Sequence, residues 1–219
     1  GGKSSGAYKS LNCGIGSSDK KKNVIKNLKI VCKKIGCSRK KLFLMHQIHS
    51  NKFYFITGKN KNTNKKIKAD ALITKSKNIA LGILTADCIP ILIYDQKLKI
   101  ISAIHAGWKG VYKNIIMKVI KFFVKNGSSI ENLHVVIGPC IGQKNYEVKK
   151  DFINRFLKKD KKSKIFFKTI KNKTYFSLNN YVYNKLKNIG IKNLDLIYKD
   201  TFDRKNNFFS ARWSAQNNE

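Results

Sequence analysis

The chain has 219 residues, 42% of them apolar, which excludes intrinsic disorder and is enough for a substantial hydrophobic core. No run of 18 apolar residues occurs and the first residues contain no hydrophobic h-region, so neither a transmembrane helix nor a secretory signal is expected. We therefore expect a cytoplasmic protein that folds as a single domain over residues 1–219.

The net charge of +34, from 46 Lys and Arg against 12 Asp and Glu, points at first to an anionic partner such as nucleic acid. The basic residues are almost all lysine, however, and they are scattered among many Asn and Ile residues, as a coding bias would produce. Specific readers of nucleic acid favour arginine, and no aromatic stacking motif of the RNA-binding type is present. We expect no specific nucleic-acid partner and no membrane partner, only weak, sequence-independent binding of nucleic acid at low salt.

The first predicted element is a helix over residues 23–37, with Ser17, Ser18 and Asp19 before it as candidate N-caps. Its apolar residues recur at spacings of three and four and therefore share one face: Val24, Leu28, Val31 and Ile35.

Five cysteines, an odd number, do not form the pattern of a disulfide framework, so we expect free thiols. Cys32 belongs near the apolar face of the first helix, and Cys37 follows Gly36 at the helix end. For both residues, packing is a better interpretation than metal binding.

Strand-like runs follow this helix. They span residues 42–45, 52–57, 70–75, 79–95 and 100–107. The last two have nearly continuous apolar runs, which predicts burial on both faces. Residues 58–68 are a basic stretch without a hydrophobic anchor, which we expect to form a structureless loop.

The second half of the chain interleaves helices with strands. An amphipathic helix over residues 110–127 is closed by Gly127, and a buried strand follows over residues 133–142. Two helices and a strand are then predicted, over residues 149–159, 174–190 and 192–200. This order predicts an α/β (α+β) sandwich in which helices cover a central mixed sheet.

Three of the four histidines, His46, His49 and His105, fall at ends of predicted strands, where rigid strands and open turns favour functional sites. The fourth, His134, is expected to be a partly exposed residue at the start of a strand. His49, Cys88 and His105 would supply the nitrogen and sulfur ligands that zinc prefers, with a fourth position open. They are 39 and 17 residues apart, and by spacing alone a buried cysteine with two structural histidines is the simpler interpretation.

Carboxylates are rare in the chain, and several fall in this region. Asp87, next to Cys88, is the candidate acid or base of such a site. Asp70 and Asp95 are interpreted as caps of strand ends. Three aromatic residues either stack on a flat ring or fill packing positions, and the sequence leaves both roles open: Trp108, Tyr146 and Phe209.

Six short segments, in order along the chain, resemble the motifs of the YfiH/YlmD family, also described as the polyphenol-oxidase or laccase-domain family. They are QIHS, TADCIPILIYD, AIHAGWKG, IGPCIG, YEV and FFSAR. The N-terminal segment GAYKSLNCGIGSSDKKKNVIKN is similar to that family too, so the resemblance covers nearly the whole chain. It implies a YfiH-like fold, structurally related to that of the cytotoxic-necrotising-factor-like hydrolases.

The resemblance also implies an enzyme with one zinc ion per chain, bound by His49, Cys88 and His105. The implied reaction is the phosphorolysis of adenosine, inosine, guanosine or methylthioadenosine, with deamination of adenosine as a second activity. The partners are then purine nucleosides and phosphate, and the sequence does not decide between a monomer and a homo-oligomer.

Three further residues are candidates for substrate binding under this resemblance. Cys140 is the cysteine of the family's GPC turn. Lys109 and Arg212, in the motifs GWKG and FSAR, are the cations that could anchor phosphate.

The chain departs from the family pattern at three positions. Ser50 stands where the family usually has glycine, Leu28 where it has an arginine, and Asp200 where it commonly has a cysteine. If the arginine normally holds substrate or phosphate, this chain binds that ligand weakly or uses a neighbouring lysine.

Other activities are compatible with part of the pattern. Cys88 and His105 could form a thiolate–imidazole pair for nucleophilic hydrolysis. Editing of peptidoglycan precursors has also been attached to the family. Copper polyphenol oxidase chemistry requires many more histidines than the four present and is disfavoured.

Overall fold

The computed structural model describes residues 1–57 and 67–217. Its α-helices are α1 (Lys21–Lys34), α2 (Trp108–Tyr112), α3 (Ile115–Lys125), α4 (Lys150–Lys159), α5 (Leu178–Asn188) and α6 (Ala211–Asn217). Its first strands are β1 (Leu42–Phe43), β2 (Phe53–Ile56), β3 (Ala71–Thr74), β4 (Ala80–Leu81), β5 (Ile89–Asp95) and β6 (Ile100–Ala106). The later strands are β7 (Leu133–Ile137), β8 (Glu147–Val148), β9 (Phe167–Ile170), β10 (Lys173–Phe176) and β11 (Asn193–Leu196).

The central sheet has the strand order β11-β7-β5-β6-β3-β2 within the described residues. Each edge strand is parallel to its neighbour, whereas the pairs β7–β5, β5–β6 and β6–β3 are antiparallel. Helix α3 packs against β6 and helix α5 against β11. The predicted fold class, a mixed central sheet with covering helices, is therefore confirmed.

Burial differs between the two long central strands. Strand β6 is buried along nearly its whole length, as predicted, but β5 alternates between buried and more exposed residues. Leu92 is 52% exposed, while Ile91 and Ile93 are buried. The prediction that β5 is buried on both faces is therefore wrong, because no described part of the chain covers its second face at Leu92 and Tyr94.

The residues predicted as one helix over 110–127 form two helices, α2 and α3. The break occurs at Asn114, whose left-handed backbone (φ 62°) is tolerated by asparagine better than by most residues. Gly127 follows the end of α3 with φ 92°, so the predicted glycine stop is confirmed. The break separates α2, which carries Trp108 and Lys109, from the core-packed helix α3.

A small antiparallel sheet in the order β8-β10-β9 was not predicted. Residues 174–176, which the sequence patterns assign to a helix, belong to β10 instead, and α5 begins only at Leu178. Thr174, Tyr175 and Phe176 have the side chains that favour strands, and pairing with β8 and β9 satisfies their backbone groups. The backbone N–H of Phe176 also donates to the carbonyl of Tyr146 at 3.1 Å, so this sheet positions Tyr146.

Helix α1 packs on a second apolar cluster, separate from the core of the central sheet. Its buried members are Val24, Leu28, Cys32 and Leu42. The predicted face is correct at Val24 and Leu28, but Ile35 is 54% exposed and Cys32 is buried instead. Leu28, which replaces a family arginine, is therefore a core residue.

The predicted caps of α1 are wrong. Its N-cap is Lys20, with no side-chain cap. The Asp19 carboxylate accepts hydrogen bonds from Ser4 Oγ at 2.5 Å and Asn12 Nδ2 at 3.0 Å. It therefore anchors the N-terminal segment rather than the helix end.

Most of the basic stretch predicted as a loop over residues 58–68 lies outside the described residues. Within the parts of the chain that are described, no helix combines the length and the apolarity needed to cross a lipid bilayer.

Candidate metal and substrate site

His49, Cys88 and His105 converge at one end of the central sheet. Their ligand atoms all lie within 4.8 Å of one another, the only such group of three or more metal-ligating side chains among the described residues. Cys88 Sγ is 3.8 Å from His49 Nε2, and the two imidazole rings are in edge contact with centroids 4.8 Å apart. The structure therefore brings the three predicted residues together in a group that could hold a metal ion.

Strand pairing explains how such distant residues meet. Strands β5 and β6 are antiparallel with Pro90 opposite His105, so Cys88, just before β5, lies beside the end of β6. His49 lies in the turn before β2 with a left-handed backbone (φ 53°), which turns its side chain toward the other two.

Asp70 connects the turn that carries His49 with His105 on β6. Its fully buried carboxylate contacts His105 Nδ1 at 2.9 Å. It also accepts hydrogen bonds from the backbone N–H groups of Ile48 (3.1 Å), His49 (2.9 Å) and Ser50 (2.6 Å), and from Ser50 Oγ (2.7 Å). Asp70 therefore does more than cap a strand end, because it orients one histidine directly and the other through the backbone.

The protonation state of Asp70 follows from these contacts. Burial alone would raise the pKa of Asp70, but the hydrogen bonds from His105 and Ser50 outweigh it and lower the pKa to about 2. An ionised Asp70 accepts the Nδ1 proton of His105. The Nε2 atom of His105 is then left with its lone pair available to a metal ion, as in other carboxylate–histidine–metal arrangements.

The three side chains fit zinc. A tetrahedral zinc ion with bonds of about 2.0–2.3 Å separates its ligand atoms by about 3.5 Å. The separation of 3.8 Å between Cys88 Sγ and His49 Nε2 is close to that value. Two imidazole nitrogens and one sulfur leave a fourth position for a reactant, the pattern of catalytic rather than structural zinc sites.

The environment of Cys88 does not favour a thiolate in the absence of a cation. Burial, together with the nearby carboxylates of Asp87 and Asp70, raises the pKa of the Cys88 thiol to about 12. Partial desolvation of the ring and the neighbouring His105 lower the pKa of His49, which favours the neutral imidazole that can act as a ligand.

The Asp87 carboxylate is engaged with the C-terminal part of the chain. Its oxygens accept hydrogen bonds from Thr201 Oγ1 at 2.7 Å, Ser210 Oγ at 3.0 Å and the backbone N–H of Arg212 at 2.7 Å. Asp87 also has a left-handed backbone, with φ 77°. These contacts position Arg212 beside the triad, and a role for Asp87 as acid or base stays a prediction.

A cavity of about 300 Å³ opens beside the triad, and His49, Cys88, Trp108, Tyr146 and Arg212 are among the residues that line it. An outer groove of about 710 Å³ shares three of its lining residues with this cavity: Trp108, Tyr146 and Arg212. The two spaces are therefore neighbours, one at the triad and the other along α4.

Comparison with known proteins identifies the family. A family model described as multi-copper polyphenol oxidoreductase laccase matches residues 1–218. The chain belongs to this family, the YfiH/YlmD family. A relative from Rickettsia conorii named purine nucleoside phosphorylase is 37% identical over 175 residues, covering 79% of this chain and 71% of the relative. Another of that name, from Haemophilus influenzae, is 31% identical over 219 residues, covering 99% of this chain and 86% of the relative.

A solved structure of YfiH from Bacillus licheniformis superposes with a TM-score of 0.91 at 27% identity, covering 98% of this chain and 85% of that chain. The YfiH/YlmD resemblance read from six motifs is thus confirmed for both family and fold. The copper chemistry in the family description remains disfavoured for this chain, because it requires many more histidines than the four present. His46 and His134 do not join the triad, and His134 is an exposed strand residue, as predicted.

Two departures from the YfiH/YlmD pattern have a local explanation. Ser50, in place of glycine, donates a hydrogen bond from its hydroxyl to Asp70 and so adds a contact between the turn of His49 and the buried carboxylate. Asp200, in place of cysteine, accepts hydrogen bonds from the backbone N–H of Gly142 at 2.8 Å and from Asn145 Nδ2 at 2.7 Å. It therefore secures the turn that precedes Tyr146.

The predicted substrate residues of this YfiH/YlmD chain lie in different surroundings. Lys109 is exposed in the outer groove, with its ammonium 5.7 Å from the Trp108 ring centroid. The Arg212 guanidinium lies over the Tyr146 ring and donates to the carbonyl of Glu147. Cys140 is buried, with its thiol donating to the carbonyl of Ile141, and substrate contact by Cys140 stays a prediction.

Sequence reasoning missed two features of the site. One is the set of hydrogen bonds by which Asp70 holds His105 and the turn of His49. The separation of Asp70 from the segment QIHS along the chain does not predict these bonds. The other is Arg155 on α4, which lines the outer groove with Lys109, Lys149 and Arg212. The chain has only four arginines, so the presence of two in one groove is a stronger signal than the presence of lysines.

Gly107 should be essential to the geometry of the triad. A Cβ atom there would lie 2.9 Å from both Cys88 Sγ and His49 Cδ2. We expect Gly107→Ala to lower zinc affinity by roughly tenfold, because the two ligands must move apart. Zinc titration with a competing chelator measures this. Gly16→Ala is the matched control, since nothing lies within 4 Å of its Cβ. Equal zinc affinity in both variants would contradict the close packing.

Proposed function

We propose that this protein is a zinc-dependent purine nucleoside phosphorylase that also deaminates adenosine. The observation that carries the proposal is the His49–Cys88–His105 group, which lies beside a cavity lined by aromatic residues and a cation. Relatives at 31–37% identity are named purine nucleoside phosphorylase, which supports the same reaction for this chain.

The ligands of the proposed zinc ion are His49, Cys88 and His105. When bound, zinc supplies Lewis-acid polarisation of an oxygen atom or activation of water. Asp70 keeps the Nδ1 proton on His105 and holds the turn of His49, so that both rings keep their positions during turnover.

The nucleoside is proposed to lie in the inner cavity. Trp108 and Tyr146 line it and offer π-faces or edges to a purine base. Trp108 also packs on Phe152 with centroids 5.2 Å apart, and this packing holds the indole in place. Burial raises the pKa of Tyr146, so its hydroxyl stays protonated and can donate a hydrogen bond.

Phosphate is proposed to enter from the outer groove. Phosphorolysis needs an oxyanion held near the sugar carbon, and arginine suits it through its planar fork of donors. The Arg212 guanidinium borders both spaces, and Lys109 and Arg155 line the outer groove. Deamination needs only activated water and a held purine, so it should depend less on these cations.

A thiol hydrolase is the other function that this triad suggests, because Cys88 Sγ lies 3.8 Å from an imidazole nitrogen, that of His49 and not of the predicted partner His105. The raised pKa of the Cys88 thiol disfavours it, since the attacking species would be the thiolate. Metal analysis separates the two functions. One zinc per chain supports the phosphorylase, whereas a metal-free protein whose Cys88 is alkylated rapidly near neutral pH supports the hydrolase.

Incubation of the purified protein with inosine and with adenosine, each with and without phosphate, tests the proposal directly. We expect hypoxanthine and ribose 1-phosphate from inosine only when phosphate is present, and inosine from adenosine without it. Loss of both activities on zinc removal, and their return with added zinc, is also expected. A zinc-loaded protein without phosphate-dependent base release would contradict the proposal.

The two arginines of the groove should affect phosphorolysis selectively. We expect Arg212→Ala and Arg155→Ala each to raise the KM for phosphate by roughly tenfold or more, about 1.4 kcal/mol per decade, with deamination less affected. Lys158→Ala is the control, because it removes one charge from the exposed surface of α4.

Steady-state kinetics with inosine at varied phosphate, and with adenosine alone, measure both reactions. If Arg212→Ala lowers both activities in parallel with zinc still bound, Arg212 holds the nucleoside or the fold. Lys109 is then the preferred phosphate ligand. An unchanged KM in Arg155→Ala would remove Arg155 from the phosphate path.

A further inference from the structure

Three of the five cysteines lie together, away from the proposed reaction. Cys32 is a buried member of the α1 cluster, and Cys13 and Cys37 pack against the same cluster. The triad uses only Cys88. The placement of Cys32, Cys37 and Cys13 is therefore not explained by the proposed function.

The end of α1 brings two of these cysteines together. The N–H of Cys37 donates to the carbonyl of Cys32 at 2.9 Å, and the N–H of Gly36 donates to the carbonyl of Lys33 at 3.3 Å. Gly36 has a left-handed backbone with φ 68°. This pair of bonds is a Schellman motif, in which the side chains at the two outer positions frequently contact each other. Here both of these side chains are cysteines.

The backbone bond also limits the distance between the two residues. The path from the Cys32 Cα to its oxygen is about 2.4 Å and that from the Cys37 nitrogen to its Cα is about 1.5 Å. With the hydrogen bond of 2.9 Å between them, the two Cα atoms cannot be more than about 7 Å apart, and any bend brings them closer. Disulfides span Cα separations of about 4.4–6.8 Å, so this motif is compatible with one.

The two thiols differ in their access to solvent. Cys32 is 3% exposed, whereas Cys37 is partly exposed. Burial and the adjacent Cys37 thiol raise the pKa of Cys32. A small reagent therefore reaches Cys37 first, and Cys32 is placed to react with the product.

We propose that Cys32 and Cys37 are a redox-active dithiol that small-molecule disulfides, such as oxidised glutathione, convert to an intramolecular disulfide. The Cys37 thiolate attacks one sulfur of the reagent, whose S–S bond breaks and releases one thiol. Cys32 Sγ, losing its proton to water, then attacks Cys37 Sγ and expels the second thiol. Two protein thiols are oxidised and one external disulfide is reduced.

Cys13 is the competing partner for Cys32. It reaches the cluster from the N-terminal segment, which Asn27 of α1 holds through a hydrogen bond to the carbonyl of Asn12 at 2.8 Å. No backbone hydrogen bond between Cys13 and Cys32 is found within the described residues. The Schellman motif favours Cys37 because it constrains the Cα atoms of that pair directly.

Peptide mapping of the oxidised, zinc-loaded protein tests the proposal. Free thiols are alkylated after exposure to glutathione buffers of increasing oxidised fraction, and the protein is digested with trypsin without reduction. Trypsin separates the two cysteines, because it cleaves after Lys33 and Lys34 and leaves the peptides IVCK and IGCSR. We expect these peptides linked, with at least tenfold more of this product than of any link to Cys13.

Two variants complete the design. Cys13→Ser should form the linked peptides as the wild type does, whereas Cys37→Ser should abolish them and leave Cys32 alkylated. Circular dichroism of the reduced variants checks that both are folded. If the main product in the wild type joins Cys13 to Cys32, or if Cys32 and Cys37 remain alkylated at every oxidised fraction, the proposal is wrong.

Discussion

Cys88→Ala is expected to abolish stoichiometric zinc binding and to lower phosphorolysis by on the order of 10³-fold or more. The substitution removes the sulfur of the triad and leaves two imidazoles, which are too few protein ligands for a catalytic zinc site. Both activities should fall together, because a single ion is proposed to serve both reactions.

Metal analysis by mass spectrometry, together with kinetics on inosine and adenosine, measures the effect. Cys13→Ser is the control, since it also removes one thiol but lies in the α1 cluster. Circular dichroism should show similar secondary structure in both variants. A Cys88→Ala protein with full zinc and full turnover would show that Cys88 is not a ligand.

Asp70→Asn is expected to weaken zinc binding by about 10–100-fold and to destabilise the fold by about 2–4 kcal/mol. The carboxylate contacts His105 Nδ1 and accepts three backbone N–H groups and one hydroxyl. An amide keeps one oxygen but replaces the other with an NH₂ group. This NH₂ group would face one of the hydrogen-bond donors at a fully buried position. Asp195→Asn is the control, because it removes an exposed carboxylate of β11.

The stability difference between wild type and Asp70→Asn should also depend on pH. The pKa of Asp70 is lowered to about 2 in the folded protein, below its value in the unfolded chain. Its contribution is therefore complete above about pH 5 and is lost as the pH falls toward 2. Urea unfolding of both proteins in chelator, at pH 7 and at several acidic values, measures this. A difference that stays constant down to pH 2 would argue against an ionised Asp70.

The arrangement of the triad shows what local patterns in a sequence can and cannot predict. The apolar runs and the polar residues that end them are local, so the sequence placed His49 and His105 at strand ends. Cys88 fell inside the predicted strand 79–95, which the structure divides into β4 and β5, with Cys88 just before β5. The spacing of these three residues along the chain did not predict that they lie together. The motifs of the YfiH/YlmD family predicted this grouping. The strand register that sets Pro90 opposite His105 explains why Cys88 and His105 meet.

Local motifs and apolar periodicity were enough to predict the family, the alternation of helices and strands, and the candidate residues of the triad, because neighbouring positions carry both signals. Four features could not be predicted in this way: the hydrogen bonds that Asp70 makes, the position of Arg155 in the outer groove, the strand β10 that positions Tyr146, and the exposed face of β5. The first three depend on contacts between residues far apart in the chain, and the fourth on the absence of a described segment that covers Leu92 and Tyr94. Whether Asp70 reaches His105, 35 residues away, depends on which strands pair and in which register, and no local pattern specifies that.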